Sequence, residues 1–244
     1  MKRWILISCL VLISALGILA PAGAQASTVT AGKLTSGKPV KATVSTPGQQ
    51  VKYTFSATAN KNVTFNVTHF NFTDEGSPGE VFIYFYEPGS SSVYAQCNNG
   101  VVGNTYCNFT TPVSGTWKVA LVPYQDSVGS LTLTFANNVP TKALTAGTPV
   151  TTTIKFAGQE AGYTFTATKN KNVTFDVTHF NFTSGGSTGG VYLYFYEPGS
   201  SSVYTDCGFS SNGSCNFTPP VGGTWNVLLI PSGASVGTLT LELT

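Results

Sequence analysis

The sequence predicts an all-β protein: a signal peptide followed by two tandem antiparallel β-sandwich modules of jelly-roll or Greek-key type. Three observations predict it. Apolar residues alternate with polar ones at period two, the spacing of a strand with one buried face. The chain repeats itself with a period of 110 residues, the size of one sandwich domain. Only 9% of residues are charged and 12% are aromatic, a composition of strands and turns rather than of amphipathic helices. The expected boundaries are a signal peptide at 1–26, a first module at 27–138, a linker at 139–141 and a second module at 142–244.

The chain starts with Met1-Lys2-Arg3, then an apolar run from Trp4 to Ala20, then small residues at Ala22-Gly23-Ala24 and Ala24-Gln25-Ala26. Basic, apolar and small-residue regions in that order form a secretory signal peptide. An uncleaved anchor is the competing reading, but the run is short for a hydrocarbon core of ~30 Å. Leu6-Ile7-Ser8-Cys9 resembles a lipoprotein site, yet most of the apolar region follows Cys9, where cleavage should end it.

Without residues 1–26, ten lysines face ten acidic residues and no arginine remains. Phosphate-backbone binding depends on many cations and base reading leans on bidentate arginine, so a nucleic-acid partner is excluded. After signal cleavage no membrane partner is expected. Four cysteines are left, Cys97, Cys107, Cys207 and Cys215. An even number in an exported chain reads as disulfides. Each repeat holds its own close pair, so the expected bonds are Cys97–Cys107 and Cys207–Cys215, each tying a hairpin and worth about 2–3 kcal/mol. Zinc would need about four converging ligands, and the pairs sit in separate repeats.

Each element of the repeat can be read in turn. Val51, Tyr53 and Phe55 alternate after a turn at Pro47-Gly48. Val63, Phe65 and Val67 alternate with Asn62, Thr64, Asn66 and Thr68, and Trp117, Val119 and Leu121 do so opposite Thr116 and Lys118. Further strands are expected at 39–46, 81–86, 92–97, 105–110 and 130–136, separated by turns at Ser36-Gly37, Pro88-Gly89, Ser114-Gly115 and Gly129. Lys61 to Thr73 returns as Lys171 to Thr183 with one change, Asp176 standing where the first copy has Asn66. Tyr84 to Tyr94 returns unchanged as Tyr194 to Tyr204.

The run from Val40 to Thr68, the strand and turn Tyr84-Phe85-Tyr86-Glu87-Pro88-Gly89-Ser90, and the closing strands Gly115 to Val119 and Gly129 to Leu133 resemble bacterial pre-peptidase C-terminal domains. The resemblance spans both repeats. It implies a β-sandwich appended to secreted proteins, often as a binding or targeting accessory to an enzyme, with some relatives binding calcium or insoluble polymers. The chain departs from that pattern in having no catalytic domain and in its cysteine pairs.

Catalysis needs a positioned base, acid or nucleophile. His69 and His179 follow their strands in phase and are expected at the inward end, as edge-of-core side chains. No Gly-x-Ser-x-Gly elbow occurs. Glu87 and Glu197 are the matching acids, both before a Pro-Gly turn where solvent exposure is expected. Asp74, Glu75 and Glu80 form the best acidic cluster for a single weak calcium site, but the second copy has Ser184, Gly185 and Gly190 there. No catalytic residue, metal or cofactor is assigned. Sequons such as Asn62-Val63-Thr64, Asn71-Phe72-Thr73 and Asn216-Phe217-Thr218 arise readily from strand alternation.

Alternation in Val81 to Tyr86 puts Phe82, Tyr84 and Tyr86 on one face, and the second copy puts Tyr192, Tyr194 and Tyr196 there. Such a row is a candidate stacking surface for sugar rings. The apolar character of both faces instead favours a central strand buried on both sides. The expected function is a secreted, non-catalytic accessory that attaches to an extracellular polymer, polysaccharide before envelope or matrix protein. The alternative is a structural or adhesive envelope protein that assembles through its modules.

Overall fold

The computed structural model describes residues 27–98 and 100–244; the expected signal peptide lies outside the described residues. Module 1 runs β1 (Thr28–Lys33), β2 (Pro39–Val44), β3 (Gln50–Ala57), β4 (Lys61–Asp74), β5 (Ser77–Pro78), β6 (Val81–Tyr86), β7 (Val93–Gln96), β8 (Thr105–Thr111), β9 (Gly115–Pro123) and β10 (Val128–Asn137). Module 2 repeats the order as β11 (Val139–Ala143), β12 (Val150–Ile154), β13 (Ala161–Ala167), β14 (Val173–Ser184), β15 (Ser187–Thr188), β16 (Val191–Tyr196), β17 (Val203–Phe209), β18 (Gly213–Phe217), β19 (Gly223–Pro231) and β20 (Val236–Leu243).

Each module is a sandwich of two sheets. In module 1 one sheet has the order β1-β3-β9-β6-β7; the other has β2-β10-β4, with β8 and β5 pairing different halves of the long β4. Module 2 has the same topology. Period-two burial supplies the inner faces: Val51, Tyr53, Phe55, Val63, Phe65, Val67, Trp117, Val119 and Leu121 are all buried. Ring centroids lie 5.0 Å apart for Phe55–Phe65 and 4.6 Å for Phe65–Phe85. The corresponding Phe165–Phe175 and Phe175–Phe195 pairs lie at 5.0 and 4.8 Å. Buried Trp117 and Trp225 each donate Nε1–H to a carbonyl four residues back, Val113 and Val221, at 3.2 Å, so neither indole is left with an unpaired donor. Two separate core clusters result, one per module.

Several features depart from expectation. The first strand of each module pairs parallel, β1 with β3 and β11 with β13, within otherwise antiparallel sheets. Residues 139–141, expected as a linker, therefore belong to β11, which pairs along the edge of β13, and Val139 N–H donates to the Glu160 carbonyl at 2.8 Å. The disulfides pair as expected but tie no hairpin. Cys97 follows β7 at the edge of one sheet and Cys107 lies in β8 at the edge of the other, with Cα atoms 5.3 Å apart. Cys207 in β17 and Cys215 in β18 repeat the arrangement, with Cα atoms 6.2 Å apart. Each bond staples one sheet to the other.

The histidines also point the other way. Between Thr68 and Asn71 the β4–β10 register slips, and His69 takes φ 50° at the bulge; His179 takes the same φ. A bulge inserts one residue and reverses the alternation, so His69 and His179 are exposed while Phe72 and Phe182 take the inward places. Each ring sits with its Nδ1 3.2 Å from the preceding threonine hydroxyl.

The modules meet through a defined joint. The turn between β12 and β13 lies on the outer side of β4 and β8. There Asn66 Nδ2 donates to the Ala157 carbonyl (3.0 Å), and Thr64 Oγ1 and Asn108 Nδ2 both donate to that of Gly158 (2.9 and 3.2 Å). Gly158 has φ 76°, and a Cβ there would stand 2.6 Å from the Tyr106 ring, so only glycine fits. Gln159 Nε2 donates to the Asn137 carbonyl (2.8 Å), and Asn138 Nδ2 donates to Glu160 Oε2 (3.0 Å). A cleft of about 800 Å³ opens beside these contacts, lined by Asn60, Lys61, Asn62, Asn138, Thr141 and Glu160 among others. Burial pushes the Glu160 carboxyl above its ordinary range, and the Asn138 and Asn62 amides pull it part of the way back. The Asn62 amide does so from outside bonding geometry, since among the described residues its buried Nδ2 has no hydrogen-bond partner.

Candidate binding face

β6 and β16 are central strands, each between β9 and β7 or their counterparts, but they are covered on one side only. Val81, Ile83 and Phe85 are buried against the opposite sheet; Phe82, Tyr84 and Tyr86 face outward and are half-buried. In β16 the outward residues are Tyr192, 41% exposed, with Tyr194 and Tyr196 half-buried. Burial on both faces, favoured from the apolar pattern, fails because among the described residues each module has two layers, and neither covers the outer side of this sheet.

Towards β9 and β19, the first two outward rings of each row lie beside short or apolar neighbours, while Tyr86 stands opposite Lys118, Tyr196 opposite Asn226, and Tyr194 meets Asp206 on its other side. Tyr84 stands opposite Ala120 on β9, and Phe82 opposite Val122. Tyr194 stands opposite Leu228 and Tyr192 opposite Ile230. On its other side Tyr192 covers Gly208, where a Cβ would come within 3.1 Å of the ring. Phe82 and Tyr84 are near-parallel with centroids 5.8 Å apart, and Tyr192 and Tyr194 lie 6.0 Å apart at 30°. The copies differ at the ends of the row. In module 1 Tyr124, exposed, meets Phe82 edge-on at 5.9 Å, and Lys118 Nζ stands 5.8 Å from the Tyr86 centroid while donating to the Ser90 carbonyl at 2.7 Å. Module 2 has Ser232 and Asn226 in those places. Burial raises the hydroxyl pKa of Tyr86, with the Tyr84 hydroxyl adding to it; burial raises that of Tyr196, with Glu160 and then Tyr194 adding.

Tyr124 and Lys118 were not among the sequence candidates. Alternation in β9 places Lys118 on the outward side with Tyr86, a legible signal; Tyr124 lies beyond the strand, where alternation gives no guide. Glu87 and Glu197 are half-buried beside their Pro-Gly turns rather than fully exposed. Asp74, Glu75 and Glu80 do not converge: the Glu80 side chain lies over Gly100, and among the described residues no three His, Cys, Asp or Glu side chains gather as a metal-holding group.

No family model matches the sequence, and no curated protein matches it. Among solved structures the chain is similar to a periplasmic inhibitor of g-type lysozyme from Aeromonas hydrophila, at 13% identity and TM-score 0.36, over 46% of this chain and 98% of that one. It is similar to the pre-peptidase C-terminal domain of a Bacillus anthracis collagenase at 16% identity and TM-score 0.33, over 45% of this chain and 95% of that one. The CUB1-EGF-CUB2 domains of rat MASP-1 align over 88% of this chain and 100% of theirs, at 10% identity and TM-score 0.27. At these identities and scores the likenesses bear on neither ligand nor activity.

Proposed function

We propose that the chain is a secreted, non-catalytic binding protein that attaches to an extracellular polysaccharide through the outward aromatic row of each module. The observation that carries this reading is the open face of β6 and β16, where Phe82, Tyr84, Tyr86, Tyr192, Tyr194 and Tyr196 project from a disulfide-stapled sheet. Tyrosine combines an apolar ring with a hydroxyl, matching a sugar ring with its C–H face and polar rim. Lys118 is the cation beside the first row; beside the second, Asn226 replaces it and Asp206 pairs with Tyr194. Two rows on one chain provide avidity on a repeating polymer when both engage at once.

The test is a pull-down of the chain on cellulose, chitin, peptidoglycan and collagen. Retention on a polysaccharide that is lost in the Tyr84→Ala, Tyr194→Ala double variant supports the reading. Retention on collagen alone, or polysaccharide binding that ignores both substitutions, removes it.

A further inference from the structure

The joint between the modules carries the means to repeat itself. Module 1 offers a donor face on β4 and β8, and module 2 offers a turn whose carbonyls dock there. Because the modules are copies, module 1 has the corresponding turn at 45–50. Gln49 Oε1 accepts Ser45 N–H at 2.7 Å as Gln159 Oε1 accepts Lys155 N–H at 3.0 Å, and φ is 71° at Gly48 and 76° at Gly158. Module 2 has the corresponding face on β14 and β18. An intact turn and an intact face on one chain would add copies head to tail, a contact that does not close.

The second face is not intact. Thr174 and Asn216 keep the places of Thr64 and Asn108, but Asp176 replaces Asn66 and Ser214 replaces Tyr106. Within the repeated stretch Lys61–Thr73 two residues hydrogen-bond to the other module: Thr64, which is kept as Thr174, and Asn66, which is the one position that changes. Asn66 donates to a carbonyl. An ionised Asp176 only accepts, and it is engaged by the Ser214 hydroxyl and by Thr244 Oγ1, the latter at 3.1 Å. A carbonyl brought to that position meets oxygen without a proton. The turn of module 1 has changed too: Phe156, whose ring lies 3.9 Å from where a Cβ on Gly37 would stand, is matched by Thr46.

We propose that Asp176 and Ser214 are specificity residues that make the module 2 face refuse the Pro-Gly turn of another copy, restricting this contact to the single joint within the chain. Assembly of copies through this face is thereby blocked, independently of any polymer that the aromatic rows take.

Sedimentation velocity on mixtures tests the proposal. A face-restored chain, Asp176→Asn with Ser214→Tyr, is mixed with a turn-restored chain, Thr46→Phe. The pair is expected to associate about tenfold or more tightly than the wild type does with itself, since a neutral pair of hydrogen-bonding groups replaces an acceptor–acceptor contact. Both restored positions of the face lie on the exposed side of their strands, and circular dichroism checks that they fold. Should the double variant unfold, Asp176→Asn alone carries the same expectation. A restored mixture that associates no more than the wild type overturns the proposal, as does a wild-type assembly that Asp176→Lys dissolves.

Discussion

The placement of the disulfides sets a measurable contribution to stability. Cys97 and Cys107 are separated by 10 residues, Cys207 and Cys215 by 8. In the chain-entropy account, closing such loops removes about 2.7 and about 2.5 kcal/mol of unfolded-state freedom. That is a large share of the ~5–15 kcal/mol that holds a typical domain folded. The perturbation is Cys97→Ala with Cys107→Ala in residues 27–244, which lack Trp4, with Trp225→Phe as background so that buried Trp117 reports on module 1 by fluorescence. With a urea m-value of about 1–3 kcal/mol/M, the midpoint falls by roughly 1–2.5 M, and m rises because the unfolded chain expands. The structure adds a spatial expectation that a hairpin tie would not. The bond joins the edges of two sheets, so hydrogen-exchange protection falls in both β7 and β8, which have different partners, β6 and β4. A midpoint that stays in place, or a loss of protection confined to one of the two sheets, would refute the reasoning. The Cys207, Cys215 pair behaves in the same way when read through Trp225.

Two further outcomes follow from named residues. Burial raises the Glu160 pKa in the folded chain above its ordinary 4.5, so between the unfolded and folded values the native state holds more protons and stability falls as pH rises. Glu160→Gln, which keeps an acceptor for Asn138 Nδ2, removes that fall, and urea titrations from about pH 4 to 8 should show its advantage over wild type growing across this window and then levelling; a pH-independent difference contradicts the assignment. At the bulge, His69→Gly should leave the urea midpoint unchanged or raise it by up to ~1 kcal/mol equivalent, because glycine relieves the left-handed φ, whereas His69→Val should lower it by ~1 kcal/mol or more; equal effects of the two substitutions would show that φ is not the constraint.

How far the sequence could be read depends on how local each determinant is. The inward residues of β3, β4 and β9 were legible because burial in a sandwich follows alternation along one strand. The cysteine partners were legible too, since each repeat holds one pair. What the pairs join was not: β7 bonds to β6 and β8 bonds to β4, and no local pattern tells two neighbouring strands that they belong to opposite sheets. For His69 a signal was present. Val63, Phe65 and Val67 occupy odd positions and Phe70 and Phe72 even ones, so the apolar parity changes within β4, as a single inserted residue requires.

The joint was the least legible part, for a reason tied to duplication itself. Two identical modules cannot contact each other through a face and a turn without leaving the same face and turn ready for another copy. A contact that is to occur once must therefore be marked by differences between the copies, and those differences look like neutral drift until the structure shows what they touch. Asn66 and Asp176, Tyr106 and Ser214, Thr46 and Phe156, Gln50 and Glu160 are ordinary exchanges in a sequence alignment of the repeats. In space, Asn66, Tyr106, Phe156 and Glu160 all lie at the joint. The aromatic strand and its turn are the opposite case: Tyr84 to Tyr94 is retained without change as Tyr194 to Tyr204, and none of these residues makes one of the hydrogen bonds that join the modules.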